Sequence, residues 1–344
     1  MGGSNVSIIC RDPSGNVMTY PYAESPNKKG NENMTGRQVV RDAIEFKSPE
    51  RMPIWLFNKD QECGDVLLYS VGLWNPDRSS EWGYSFVDLG DGTVGQPKEP
   101  VIPTWETPYQ FPELHREKRL QSVSEFQEKA KNHYRLGAPG ITGFTTYTFL
   151  RGFQNAIMDI VMESDQGIAF LERLFSFEKE LITISAEIGL DGFHFADDWG
   201  TQDNLIISPE LWRKVFKPLY KSQFDHAHDL GLHVWFHCCG NILPIVPDFH
   251  EIGVDVMNIS QPNIVDIPKV GGLLRGKQCF LMPISYQTVS ISGTPQEIYK
   301  EARRLHQLLG TDEGGFIGYV EEYSCMGMSD ENYRACIQAF QSLR

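Results

Sequence analysis

From residue 192 to the end of the chain, short apolar β-like runs alternate with helix-period runs, and this alternation constrains the fold more than any other feature of the sequence. Gly192-Phe-His-Phe-Ala196 reads as a strand. Ser208-Pro209 opens a helix with proline in its first turn. Leu211, Val215, Leu219, Ala227 and Leu230 mark one face of it, Pro218 predicts a kink, and Gly231 is a stop. Val234–His237 is the next strand, followed by a short helix near 245–251 and strands at 254–258 and 279–282. Thr294-Pro-Gln-Glu297 opens a helix with proline and capping-box signals, Gly315–Val320 is the last strand, and Ser329 caps a terminal helix. Strands joined through helices by short connections pair in parallel, and this many of them predict a closed barrel. The expected fold class is therefore α/β, a (β/α)8 TIM barrel. Such a barrel takes about 250 residues, so the 344 residues fit one large, decorated domain better than two equal ones.

Upstream the pattern is less regular. The domain is expected over 34–344, with Thr35 capping a helix that runs to about Phe46 and Arg51-Met-Pro-Ile-Trp-Leu-Phe57 as the first strand. Residues 60–120 are rich in Trp, Tyr, Pro and Gly with little periodicity, a long irregular insertion of the kind used for lids and substrate loops. Ser124-Glu-Phe-Gln127 is a capping box whose helix should end near Gly137. Ile141-Thr-Gly-Phe-Thr145 reads as a strand, and 155–188 as helical, in one or two pieces. Residues 1–33 form an extension. Val6–Cys10 and Val17–Tyr20 flank the turn chemistry of Asp12-Pro-Ser-Gly15, which predicts a hairpin, and a polar linker follows from Ser25 to Asn33. A loose tail and an interface element are both open readings of this extension.

Composition excludes several classes. The formal net charge of −14 argues against binding a phosphate backbone. No apolar run approaches the roughly 18–20 residues that span a membrane, and the start shows no signal peptide. Seven cysteines, an odd number with an adjacent Cys238-Cys239 pair, fit reduced thiols in a cytoplasm. Walker, dinucleotide and His-Glu-x-x-His motifs are absent from the sequence, as is a corrinoid-binding module.

The chemistry concentrates at strand ends. In Val234-Trp-Phe-His-Cys-Cys-Gly240, His237 and Cys239 are two residues apart and point to the same side of a strand. Cys325 follows the last strand, at the carboxyl end where barrel enzymes keep their chemistry. Three protein ligands with an open position describe a catalytic zinc site, in which a substrate thiol is held as the nucleophilic thiolate. Buried thiols with a hydrogen-bonded histidine are the competing structural reading. Cys238 is expected to point into packing; Cys10, Cys63, Cys279 and Cys336 look structural, with Cys279 the rival third ligand. Asp197-Asp198-Trp-Gly-Thr201-Gln202 sets two carboxylates, a hydroxyl and an amide just after a strand, where they serve substrate, proton relay or the metal's surroundings, or form a solvated capping loop. Glu321 and Glu322 offer a fourth ligand or a base, and Asn258 and Gln261 are pocket candidates. The tryptophans at 55, 74, 82, 105 and 199 are candidates for lining a wide apolar pocket, with plain packing as the alternative.

Several passages in one order carry a resemblance. They are Met34-Thr-Gly-Arg-Gln-Val-Val-Arg-Asp-Ala-Ile44, Arg51–Trp55, Asp197–Gln202, Ile207-Ser-Pro-Glu-Leu-Trp212 with Phe216-Lys-Pro218, His237-Cys-Cys-Gly240 and Ile252–Asn258. With them, residues 34–343 resemble the uroporphyrinogen decarboxylase superfamily. The resemblance implies a β/α barrel with its site at the carboxyl end. True decarboxylases of this superfamily are metal-free and carry arginines shortly after the first-strand tryptophan, where this chain has Asn58; their C-terminal histidine motif is replaced by Tyr323-Ser-Cys325. The chain is more similar to the zinc-dependent corrinoid methyltransferase branch, such as the methylcobamide:coenzyme M enzymes. That implies Zn²⁺ on His237, Cys239 and Cys325, and a corrinoid (cobalamin) carried by a separate partner protein. It also implies a small-molecule methyl donor or acceptor: a thiol, a folate or a methylated compound. Asp198, Gln202 and Glu322 are then expected in catalysis, and Trp55, Asn58, Asp197 and Asn258 at the substrate. A homodimer is possible. The alternatives are a metal-free decarboxylase using Asp198 or its neighbours, and a non-catalytic corrinoid- or tetrapyrrole-binding protein.

Overall fold

The computed structural model describes residues 7–11, 17–21, 34–88, 90 and 95–343. Its central sheet has eight strands: β1 Ile54–Phe57, β2 Val66–Ser70, β3 Tyr134–Ala138, β4 Gly192–Ala196, β5 His233–Cys238, β6 Val256–Ile259, β7 Cys279–Pro283 and β8 Phe316–Glu321. Their order is β1-β8-β7-β6-β5-β4-β3-β2. The pairings β3/β4, β4/β5, β5/β6, β7/β8 and β8/β1 are parallel. Sequential parallel strands with β8 returning beside β1 are the topology of a (β/α)8 barrel. All residues of β6 and β7 are buried, as expected where a parallel strand is covered on both faces.

The helices follow their local signals. Ser208, Thr294 and Ser329 each cap as read, and the Thr294–Glu297 capping box is complete. The helix Pro209–Asp229 continues through Pro218. The region 155–188 forms two helices, Phe153–Val161 and Asp165–Ile188.

Three expectations need correction. The helix spans Val123–Lys129, so Ser124 lies inside it and is not its cap, and residues 134–138 are β3 instead of its last turns. Gly137 is there for space, not as a helix stop: a Cβ would lie 2.7 Å from Leu190 Cδ1 and 2.9 Å from Ser185 Oγ. Ile141–Thr145 is not a strand but the entry to the helix α1, Gly143–Arg151. Its β-favouring residues are overruled because buried carboxylates accept its first three amides: Glu178 from Gly143, and Asp197 from Phe144 and Thr145. Finally, the irregular region 60–120 contains a core strand, β2, too short for periodicity to reveal.

The chain is organised as two compact units. The first contains Met1–Leu67, Lys129–Arg135 and Gln261–Arg344, the second Leu68–Glu128 and Leu136–Ser260. Ser7–Arg11 and Val17–Pro21 pair as antiparallel strands; the turn expected between them and the linker expected from Ser25 to Asn33 lie outside the described residues. Cys63 is disulfide-bonded, so the expectation of reduced thiols throughout does not hold; Cys238, Cys239, Cys279, Cys325 and Cys336 are free. Among the described residues no helix is long and apolar enough to cross a membrane.

In the second unit, the loops after β2 are held by Arg119, whose side chain is fully buried. It donates through Nε to Leu114 O at 2.6 Å, through Nη1 to Val71 O and to Glu81 Oε1, and through Nη2 to Glu81 Oε2. Glu81 in turn accepts from Leu73 N at 3.1 Å. Removing the guanidinium strands a buried carboxylate. Arg119→Met is therefore expected to lower unfolding stability by about 3–5 kcal/mol, with Arg119→Met/Glu81→Leu recovering most of the loss, read from urea unfolding curves.

Candidate metal centre

Strand parity builds the site. On β5, Phe236 and Cys238 turn into packing and are fully buried, while His237 takes the opposite side. Register then sets its neighbours: His237 lies beside Ala196 on β4 and beside Asn258 on β6. Asn258 Oδ1 stands 2.6 Å from His237 Nδ1. The amide oxygen is an acceptor, so Nδ1 carries a proton, and Nε2 is the ring nitrogen whose proton a metal ion would displace. Cys239 Sγ is 3.5 Å from that Nε2, and Asp198 Oδ1 is 3.8 Å from it. Cys239 N also donates to Asp198 Oδ1 at 2.8 Å. The ligand atoms of Asp198, His237 and Cys239 all lie within 4.8 Å of one another.

The donors fit a metal ion. Two bonds of about 2.0–2.3 Å at a tetrahedral angle put ligand atoms about 3.3–3.7 Å apart, close to the separations seen. A nitrogen, a sulfur and an oxygen donor together suit zinc among the first-row cations. Burial alone would lower the His237 pKa, but the adjoining Cys239 sulfur, the Asp198 carboxylate and the Asn258 hydrogen bond outweigh it and raise it to about 10. Burial, with His237 beside it, drops His194 to about 3.

A family model for uroporphyrinogen decarboxylase (URO-D) matches residues 86–341. The chain belongs to the uroporphyrinogen decarboxylase family. Among solved structures it is similar to a methyltransferase from Methanosarcina mazei, with a TM-score of 0.67 at 15% identity over 90% of this chain and 98% of that one. A B12-independent methionine synthase from Shewanella sp. W3-18-1 matches with a TM-score of 0.40 at 12% identity over 64% of each chain. No curated protein matches the chain. At these identities the likeness is one of fold.

Below the donors, this uroporphyrinogen decarboxylase family member has a buried anchor that sequence reading missed. Asp197, expected at the substrate, is fully buried. Its oxygens accept from Phe144 N at 2.8 Å, Thr145 N at 2.7 Å, Thr145 Oγ1 at 2.7 Å and Tyr220 OH. It therefore anchors α1 instead of meeting solvent. Thr145 Oγ1 also accepts from Asp198 N at 2.9 Å, which fixes the donor carboxylate's backbone to the same anchor. Burial raises Asp197 to about 7 against these hydrogen bonds, and raises Glu178 to about 8. The signal was Gly143 (φ +51°), where a Cβ would meet Asp197 Oδ2 at 2.2 Å. The loops carrying Asp198 and Cys239 are clamped by two glycines. A Cβ on Gly240 (φ +83°) would lie 2.0 Å from Gly200 C, and Gly200 N donates to Cys239 O at 3.1 Å.

Of the residues expected in the site, the structure brings together His237, Cys239, Asp198 and Asn258. Gln202 is exposed on the loop after Gly200. Cys325, Glu322, Trp55, Asn58 and Cys279 belong to the first unit. Cys325 is exposed in the turn Ser324–Met326 and is not one of the three grouped donors. Glu322, expected as catalytic, staples that turn by accepting from Ser324 N and Oγ. Trp55 is buried on β1, Asn58 is exposed just past it, and the rival ligand Cys279 is buried on β7.

Two outcomes follow from this geometry. Gly240→Ala is expected to separate Cys239 from Asp198 and weaken metal binding by at least about tenfold while far-UV circular dichroism stays unchanged, as read by zinc titration. Glu178, whose folded pKa of about 8 exceeds its ordinary 4.5, contributes stability that is fully present below the lower value and lost as pH rises through the higher. Glu178→Gln should therefore gain on the wild type in melting temperature between about pH 5 and pH 8; parallel curves by scanning fluorimetry would refute the protonated carboxyl.

Proposed function

We propose that the chain is a zinc-dependent methyltransferase that moves a methyl group between a corrinoid carried by a separate protein and a thiol, a folate or a methylated small molecule. The observation that carries this reading is the nitrogen, sulfur and oxygen donor group of His237, Cys239 and Asp198 at the carboxyl ends of β4 and β5. The family, and a fold neighbour named as a methyltransferase, support it.

His237 Nε2 and Cys239 Sγ would hold the zinc, with Cys325 as the third ligand implied by the resemblance and Asp198 as the oxygen donor that stands beside them. Bound zinc supplies a Lewis acid for the substrate heteroatom. The chain's own groups do the rest. Asn258 keeps the His237 ring oriented through Nδ1. The Asp198 side chain, 44% exposed, accepts the proton that a thiol or hydroxyl gives up on binding. Gln202 offers its amide to substrate from the same loop, and Trp55 and Asn58 are proposed substrate contacts of the first unit. The second reading is a metal-free decarboxylation with Asp198 as its acid, favoured by the activity for which the family is named.

Elemental analysis separates the two. The methyltransferase should retain about one zinc per chain, lose it in His237→Ala and Cys239→Ala, and bind it about 10–100-fold more weakly in Asn258→Ala. Free methylcobalamin and a small thiol should show the absorbance change of demethylation only with zinc present. Activity that survives zinc removal overturns the methyltransferase reading. Comparing zinc retention in Asp198→Ala and Cys325→Ser identifies the third ligand.

A further inference from the structure

In the first unit, β8 and β1 carry a second constellation that the metal centre does not use. Gly318 faces the helix Asp330–Gln341, where a Cβ would lie 2.6 Å from Phe340 Cγ. Strand alternation therefore sends Tyr319 and Glu321 to the opposite face. Register sets Tyr319 beside Trp55 and Glu321 beside Phe57. The Trp55 and Tyr319 rings meet edge to face at 5.4 Å, and the Tyr323 and Tyr286 rings lie 4.9 Å apart. Glu321 joins the two ring pairs: its Oε2 accepts from Tyr319 OH at 2.9 Å and from Tyr323 OH at 2.8 Å. Its Oε1 has only a long 3.4 Å bond from Asn58 Nδ2.

Among the described residues, Glu321 has no ion-pair partner. A half-buried carboxylate with one occupied and one nearly unoccupied oxygen, set among aromatic rings, lacks a positive charge. The nearest candidate in sequence, Lys59, is engaged with Asp330 and the Tyr333 ring. Aromatic faces attract cations through the ring quadrupole, most strongly where water is excluded, and alkylated ammonium groups are the ligands such ring sets hold best. A carboxylate adds the countercharge, and Oε1 adds an acceptor for an ammonium N–H.

We infer that Glu321, with Tyr319, Tyr323, Tyr286 and Trp55, forms a binding site for a small N-methylated ammonium compound. The binding itself does not depend on zinc. The further step, that this cation is the methyl donor, its C–N bond breaking so that CH3+ passes to the reduced corrinoid and the neutral amine leaves with the electron pair, rests on the proposed methyl transfer.

Calorimetric titration with trimethylammonium chloride, and with tert-butanol as its neutral counterpart, tests the site in the full-length protein without any turnover. Trimethylammonium is expected to bind at least about tenfold more tightly than tert-butanol, and to lose that advantage in 0.5 M salt, on the order of three times physiological strength. Glu321→Gln keeps an acceptor for the tyrosine hydroxyls and should remove the same factor for the cation while leaving tert-butanol unchanged. Equal binding of cation and alcohol, or tighter binding of 2-methoxyphenol than of either, overturns the inference. If Glu321→Gln does not fold, the wild-type comparison and its salt dependence decide alone. Zinc content and methylcobalamin demethylation are separate readouts, so failure here is distinguishable from failure of the methyltransferase reading.

Discussion

Asp197 brings a carboxylate into a place without water, and the surrounding chain supplies four hydrogen bonds to it: two amides and a hydroxyl at the start of α1, and Tyr220 from the helix Pro209–Asp229. A buried carboxylate with fewer partners would cost several kcal/mol. The end of β4 therefore cannot shift without uncapping α1 and stranding Tyr220. Asp198 is the next residue, its amide tied to Thr145, and its carboxylate receives the Cys239 amide. The donor triad is thus the exposed end of a buried network. Trp199, stacked on Phe144 at 4.3 Å and donating to Tyr220 OH, closes that network from behind.

Strand parity assigns the chemistry. Phe193 and Phe195 on β4, and Phe236 and Cys238 on β5, are buried in packing, with Phe195 meeting Phe224 and Phe236 meeting Phe249. The alternate positions carry His194, His237 and Cys239. On β8 the same rule turns Gly318 toward Phe340 and leaves Tyr319 and Glu321 for the other face. A slip of one residue would exchange the two sets, so the apolar positions specify where the polar ones point. The vicinal cysteines illustrate this: Cys238, kept protonated by burial, receives the Trp199 amide, while Cys239 stands next to the imidazole.

Much of the candidate site could be read from residue type and spacing. His237 and Cys239 share a side because strands have a period of two, and Asn258 falls beside His237 because adjacent strands of the barrel run in register. The parts that could not be read depend on partners distant in sequence. Ile141–Thr145 favours a strand on its own, and becomes a helix entry only because Glu178 and Asp197, 35 to 53 residues away, accept its amides. Asp197 and Asp198 are chemically identical in the sequence; one is an anchor and the other a donor because they face opposite ways from one strand end. Glu321 and Glu322 divide in the same manner, between an aromatic cluster and a turn.

By itself, then, the sequence determined the alternation of strands and helices, the barrel class, the caps at Ser208, Thr294 and Ser329, and the pairing of an imidazole with a thiol, since all of these follow from periodicity and local hydrogen bonding. Only the tertiary structure decided which carboxylate joins that pair and which one is buried beneath it. Those outcomes depend on desolvation and on donors contributed by other elements, which no local window of the chain contains.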